Sequence, residues 1–282
     1  MNTFVKTQRH IDYSVHAVHS HGSLEIFHEK EELLPGIHTV WHNNLPIDLQ
    51  FSPIKDSDTL VVVLHGAADQ GVQLPWLSGV GITKDLSASR LFISDPSLYL
   101  DESLRLGWFS GNRFQPNLQE DLIGIFKKFI YASKSKKIIF LGGSGGGFAS
   151  LFFSNYIKNS TALVFNPQTI IKNYPKIAVD SWLNLAWEKE DLSEIEKECI
   201  IDLTELYKNS NNKNNIIYLQ NSTDNHVHLH AQPFIENYSG NNLYYLEDNW
   251  GDGHVPPPKE TIRYFLEMAI SGLYQSPLVK IK

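Results

Sequence analysis

The run Lys137-Ile138-Ile139-Phe140-Leu141 leads directly into Gly142-Gly143-Ser144-Gly145-Gly146-Gly147, and that into Phe148-Ala149-Ser150-Leu151-Phe152-Phe153. An apolar run of strand length, a glycine turn and a helical apolar run dictate strand, tight turn and helix, with one serine at the apex. The residue at such a turn is forced into a strained conformation, and only neighbours without a Cβ let the backbone bend so sharply. Ser144 is therefore expected to project above a sheet. Its backbone would sit at a helix N-terminus, where unpaired N–H groups and the helix dipole favour negative charge, as the oxyanion of an acyl transfer requires. The pattern Gly142-x-Ser144-x-Gly146 has the G-x-S-x-G form of a nucleophile elbow.

Two plainer readings compete, since glycine-rich strand-to-helix turns also cradle phosphates and some are purely structural. The dinucleotide fingerprint G-x-G-x-x-G fails here. Gly143 and Gly145 would need a glycine where Phe148 stands, and Gly145 and Gly147 would need one at Ser150. No Walker lysine follows the turn.

The rest of the chain repeats the same alternation. Short apolar runs at Leu60–Leu64, Leu91–Ser94, Lys137–Leu141, Ala162–Phe165, Ile216–Leu219 and Leu243–Leu246 have the length of buried parallel strands. Helical patterns lie between them at Leu118–Ser133, Gly147–Lys158 and Gln232–Tyr238, with a last helix at Pro258–Leu273. Such alternation predicts a mostly parallel α/β sheet whose ligands gather at the carboxyl ends of the strands. A β-rich extension of about 58 residues precedes it, with strands expected at Ser23–His28 and Thr39–Phe51, the latter broken around Asn43-Asn44-Leu45-Pro46. About fifty residues separate Phe165 from Ile216, more than a simple crossover needs. Ser181–Trp187 and Glu188–Leu206 read as inserted helices, so about 170–212 is expected to form a helical cap over the site, the alternative being an insertion packed on the flank. Asn209–Asn215 reads as a solvated polar loop. No internal repeat or linker divides the chain, so one domain is expected over 1–282.

The 282 residues carry a formal charge of −7, which argues against nucleic acid as a partner because phosphate contacts need a basic face. The first residues lack the apolar core of a signal peptide and no run approaches a membrane span, so a cytoplasmic, membrane-free protein is expected. The single cysteine, Cys199, fits a reducing compartment and has no neighbouring base to activate it.

A serine hydroxyl is a weak nucleophile and needs a base, with a carboxylate behind that base to hold its ring. After such an elbow the order along the chain should be serine, acid, histidine. Asp224 follows the Ile216–Gln220 run through Asn221-Ser222-Thr223, and His254 follows the Leu243–Leu246 run in the loop Asn249-Trp250-Gly251-Asp252-Gly253-His254-Val255-Pro256. Ser144, Asp224 and His254 are the catalytic candidates. Glu247, Asp248 and Asp252 are rival carboxylates. The oxyanion donors expected are the N–H groups of Gly145 and of Ala67, in His65-Gly66-Ala67-Ala68 directly after the Leu60–Leu64 strand. His65 precedes the serine and is read as structural or pocket-lining. His226, His228 and His230 alternate and would share a face if extended, which invites a metal, but without a paired carboxylate pattern no metal site is assigned. Trp76, Trp108, Phe109 and Trp250 fall in loops after strands, where flat rings stack on sugars as readily as they fill cores. The seven histidines from His10 to His42 crowd the N-terminal region and are a candidate interaction surface.

Leu64-His65-Gly66, Gly142-x-Ser144-x-Gly146, Asp224 and His254, in that order on alternating strands, resemble the α/β-hydrolase superfamily over about residues 59–275. Gly143–Leu151 together with Asn166-Pro167-Gln168-Thr169 is similar to α/β-hydrolase-like proteins of bacterial capsule and surface-polysaccharide biosynthesis, some of them sugar O-acetyltransferases. The three glycines after the serine depart from the common elbow, where a larger residue often follows. The resemblance implies an α/β-hydrolase fold and an acetyl-serine intermediate, with acetyl-CoA as donor, no bound cofactor and a carbohydrate or other small-ester substrate. His65, Trp108, Trp250 and Gln168 are then substrate-binding candidates. A carboxylesterase or polysaccharide deacetylase, and a non-catalytic scaffold associated with polysaccharide biosynthesis enzymes, are the alternatives.

Overall fold

A computed structural model describes residues 7–209 and 214–272. Part of the polar tract at Asn209–Asn215, the extreme N-terminus and Leu273 at the end of the last expected helix lie outside the described residues. Nine strands form a single sheet in the order β1-β2-β3-β5-β4-β6-β7-β8-β9. They are β1 (Val18–His21), β2 (Gly36–His42), β3 (Leu45–Ser52), β4 (Thr59–Leu64), β5 (Ser89–Ile93), β6 (Lys137–Gly143), β7 (Ser160–Phe165), β8 (Asn215–Asn221) and β9 (Leu243–Asp248). From β4 to β9 all neighbours pair in parallel. β3 is antiparallel to both β2 and β5.

The central strands read as unbroken apolar runs because both faces of the sheet are covered. Along β4, Leu60, Val62 and Leu64 enter the larger core. Val61 and Val63 enter the smaller one on the opposite face. After the short helix α2 (Val80–Thr83), helix α3 (Leu118–Ser133) and helix α4 (Ser144–Tyr156) cover the first face through Leu122, Ile125, Phe126, Phe148 and Phe153. Beyond α7 (Gln232–Asn237), the last described helix, α8 (Lys259–Ser271), covers the second face with Ile262, Phe265, Leu266 and Ala269, a stripe at helical spacing.

The N-terminal extension departs from expectation. Ser23–His28 is no strand: Ser23 caps helix α1 (Leu24–Glu29), its side chain accepting the Ile26 N–H, and Leu24 and Phe27 are buried one turn apart. The break in Thr39–Phe51 is a hairpin turn in which Asn43 and Asn44 adopt φ 50° and 66°. Two of the histidines of this region are withdrawn from the surface. His21 and His38 are buried with stacked rings, and His21 Nε2 lies 3.1 Å from His38 Nδ1.

Between β7 and β8 lie a 3₁₀ turn (Ile171–Asn173), helix α5 (Lys176–Trp182) running into a π-helical turn (Leu183–Trp187), a 3₁₀ turn (Leu192–Glu194) and helix α6 (Leu203–Lys208). Glu188–Leu206 is thus mostly turns rather than helix. The segment is tied down by Arg113, whose guanidinium donates to Leu185 and Ala186 carbonyls, and by Gln119, which bonds both backbone groups of Ile200. Among the described residues no helix is long and apolar enough to cross a membrane.

Candidate active site

Ser144 opens α4 directly after β6, at φ 53°. A non-glycine residue in the left-handed region is uncommon, and here it turns the serine side chain out of the strand-to-helix path. None of the five surrounding glycines has a positive φ. They are required by close approach: a Cβ on Gly143 would lie 2.0 Å from the Phe165 ring, one on Gly146 2.2 Å from the Leu64 carbonyl oxygen, and one on Gly147 2.5 Å from Pro167 Cβ. The serine therefore carries the strain alone. The glycines let β4, Phe165 and Pro167 close around it.

The acid and the histidine arrive from the next strands along the sheet. Asp224 sits just beyond β8 and His254 in the loop after β9, with His254 Nδ1 donating to Asp224 Oδ2 at 2.5 Å. Asp224 Oδ1 accepts the His226 N–H at 3.0 Å. Burial works to raise the Asp224 pKa, but the His254 hydrogen bond and the His226 N–H outweigh it and hold the carboxyl below its ordinary value. The acid is thus an anion at neutral pH, 1% exposed, under a histidine side chain that is 42% exposed. Ser144 and His254 face the same cavity of about 420 Å³, whose walls include Val63, Gly66, Ala67, Ile82, Leu141, Phe165 and Tyr174. Among the described residues no hydrogen bond joins Ser144 to His254, and the serine Oγ instead accepts Gln168 Nε2 at 3.0 Å. Base-to-nucleophile contacts of this kind commonly close only around substrate.

No protein-family model and no curated protein matches the sequence. Solved structures do. The capsule O-acetyltransferase of Neisseria meningitidis serogroup A superposes with TM-score 0.59 at 14% identity, over 86% of this chain and 97% of that one. Its complex with CoA gives 0.57 at 14%, over 80% and 95%. A 2,6-dihydroxy-pseudo-oxynicotine hydrolase gives 0.62 at 10%, over 86% and 70%. The S-formylglutathione hydrolase of Agrobacterium tumefaciens gives 0.55 at 12%, over 84% and 92%. The chain has the α/β-hydrolase fold.

In this α/β-hydrolase fold the turn after β4 lies against the elbow: a Cβ on Gly66 would stand 3.1 Å from the Gly143 carbonyl oxygen and 3.5 Å from Ser144 Cβ. Ala68 N–H is engaged by the Arg105 carbonyl at 2.7 Å, whereas Ala67 N–H has no protein acceptor among the described residues. Gly145 N–H belongs to the first turn of α4, which has no partner within the helix. Neither is engaged among the described residues; Ala67 lines the cavity and Gly145 directly follows the serine. His65 has neither ring nitrogen to spare. Nε2 accepts the Asp95 N–H at 3.0 Å, Nδ1 donates to the Gly66 carbonyl at 2.8 Å, and the ring packs against Trp76 and Phe109. Burial lowers its pKa to about 4, so it is a neutral pillar under the turn, although its edge reaches the cavity wall.

The aromatic candidates are placed otherwise than expected. Trp108 is 1% exposed and stands behind Gln168, its indole N–H bonded to the Gln168 oxygen. Trp250 is half-buried against the core of the α8 face and is not in the cavity wall. Gln168 touches the serine itself rather than open space. The three alternating histidines are not extended: Val227–Ala231 is a π-helical turn that buries His226 and His230 against each other and leaves His228 exposed. The imidazoles that gather are His226 and His254 around Asp224, with potential ligand atoms all within 4.8 Å.

Sequence reasoning missed the residues that hold the His254 loop. Asn221 Nδ2 donates to the Gly251 and Gly253 carbonyls at 2.8 and 2.7 Å while its Oδ1 accepts the Trp250 N–H. Thr223 bonds Gly251, and Asn166 Nδ2 reaches the Val255 carbonyl at 2.8 Å. Asparagines at strand ends look like turn residues in one dimension. Only the parallel register of β7, β8 and β9 brings their amides to this loop. Tyr174, in the cavity wall, carried no signal beyond its place in the insertion.

Proposed function

We propose that the chain is a serine acyltransferase that passes an acetyl group through Ser144 to a hydroxyl of a bacterial capsular or surface polysaccharide, with acetyl-CoA as donor. The observation that carries the reading is the strained Ser144 sharing one cavity with His254, which Asp224 holds from behind, and with the unengaged Ala67 N–H, while the unengaged Gly145 N–H follows the serine directly. In this reading Ser144 Oγ attacks the thioester carbon, His254 takes the serine proton and returns it to the departing thiolate, and Asp224 holds the imidazole and balances its charge. The backbone donors bind the oxyanion. A sugar hydroxyl, deprotonated by His254, then takes the acetyl group and frees the serine. The likeness to a capsule O-acetyltransferase, and to that enzyme with CoA, supports sugar as acceptor and CoA thioester as donor. Such a donor places the reaction in the cytoplasm.

The test is incubation with acetyl-CoA and a panel of capsular glycans, followed by detection of glycan acetyl esters. At least one glycan should gain an acetyl ester with wild type and none with Ser144→Ala. Rapid hydrolysis of simple acetyl esters with no glycan acetylated would instead make the chain an esterase or deacetylase, and no reaction of Ser144 with either donor class would make it a scaffold.

A further inference from the structure

The Gln168 amide has its direction fixed by its neighbours. Its Oε1 accepts the indole N–H of Trp108. That group can only donate, so the amide nitrogen is the end that faces Ser144 Oγ, at 3.0 Å. Gln168 is fully buried, and its backbone N–H donates to the Ser144 carbonyl at 3.1 Å. Trp108 is set in turn by its loop. Trp108 and Phe109 adopt φ 54° and 55°, and the Phe109 N–H is held by the buried Asp95 carboxyl at 2.8 Å. Two successive left-handed non-glycine residues are costly, and their consequence here is an indole aimed at Gln168.

We propose that Gln168 is a catalytic residue, a neutral donor that stabilises negative charge on Ser144 Oγ. This rests on the acyl-transfer reading above. In acylation Oγ bonds to the acyl carbon as its proton passes to His254, and the leaving group accepts that proton as its bond to carbon breaks. In deacylation the acceptor oxygen bonds to the same carbon, its proton passes to His254, and the carbon–Oγ bond breaks with that proton returning to Oγ. Gln168 keeps both its protons throughout. Its hydrogen bond strengthens whenever Oγ is alkoxide-like, at attack and at departure, and an interaction stronger in the transition state than in the ground state lowers the barrier. The backbone pair at Ala67 and Gly145 acts on a different atom, the acyl oxygen. Because Gln168 occupies a lone pair of Oγ, the one serine proton is left to be donated elsewhere, as transfer to His254 requires.

The experiment compares fluorophosphonate labelling of Ser144 and hydrolysis of p-nitrophenyl acetate in wild type, Gln168→Met and Trp108→Phe. Gln168→Met preserves length and removes the donor; labelling and kcat should each fall about a hundredfold, as for loss of an oxyanion-hole donor. KM should stay within about threefold and the pH profile should keep its shape, since His254 is untouched. Trp108→Phe leaves the amide free to turn and should lose about tenfold, part of the same term. Gln168→Met labelled at the wild-type rate or faster overturns the proposal, the bond then being a resting restraint on the serine. If Gln168→Met does not fold, a folded Trp108→Phe labelled at the wild-type rate overturns it equally. A wild type that takes no label overturns the acyl-transfer reading and Gln168 with it, whereas a labelled wild type with equally labelled variants overturns Gln168 alone.

Discussion

Two glycines of the elbow differ in what a single methyl would strike. At Gly146 a Cβ would meet the Leu64 carbonyl oxygen at 2.2 Å and the His65 carbonyl at 2.7 and 2.8 Å, all backbone of the central strand and its turn. At Gly145 it would meet Leu106 Cδ1 at 2.5 Å, the far end of a flexible side chain. Gly146→Ala should therefore cost roughly 2–3 kcal/mol, the upper part of the overpacking range, and Gly145→Ala less. Urea unfolding of the two variants checks the order, and equal midpoints would contradict it. The departure of this sequence from the common elbow has the same cause. Gly145 is small because Leu106 lies over it, and that contact was invisible while the glycines were read only as bending points.

The β9–α8 loop is fixed by amides from β8 and from the residue after β7 rather than by its own glycines and prolines. Asn221→Ala removes the amide donor from the Gly253 carbonyl and leaves the Gly251 carbonyl to Thr223 alone, at about 1 kcal/mol per lost hydrogen bond. A looser His254 should lower esterase kcat about tenfold, the rate equivalent of roughly 1.4 kcal/mol, with little change in KM. Amide hydrogen exchange across residues 249–256 should speed up. Unchanged exchange would show that Gly253 and Pro256 suffice. The strand-turn-helix of β6 and α4 and the strand ends bearing Asp224 and His254 were legible because each is written in one local pattern. Ser23–His28 was not, because Leu24 and Ile26 alternate like a strand while the pair that is buried, Leu24 and Phe27, follows helical spacing and Ile26 is 47% exposed. Gln168 entered only through the resemblance, as a substrate contact, whereas it bonds the serine itself; Asn166 and Asn221 act through partners far away in sequence. No local pattern encodes them.

At the scale of the whole molecule, the cavity lies where the strand order reverses. β5 lies on one side of β4 and β6 on the other, and the crevice outside their carboxyl ends is where open α/β sheets bind ligands. The molecule also buries histidines on both sides of this crevice. Burial lowers the pKa of His38, His65 and His226 to about 4 and of His230 to about 3. An unfolded histidine titrates near 6.5, so between those values the unfolded chain binds more protons and stability rises with pH. This contribution is complete above about pH 6.5 and is lost as pH falls toward 4. The urea midpoint should drop between pH 7 and pH 5, and less so in a folded His38→Phe variant; a flat midpoint would mean that these rings are not buried in neutral form.

Whether Ser144 becomes acylated decides the account. Intact-mass and peptide mapping after brief mixing with acetyl-CoA or p-nitrophenyl acetate should find one acetyl group, on the peptide carrying Ser144. It should be absent in Ser144→Ala and formed far more slowly in His254→Ala. An acetyl group on another residue, or none under conditions where the wild type turns over acetyl esters, would contradict it.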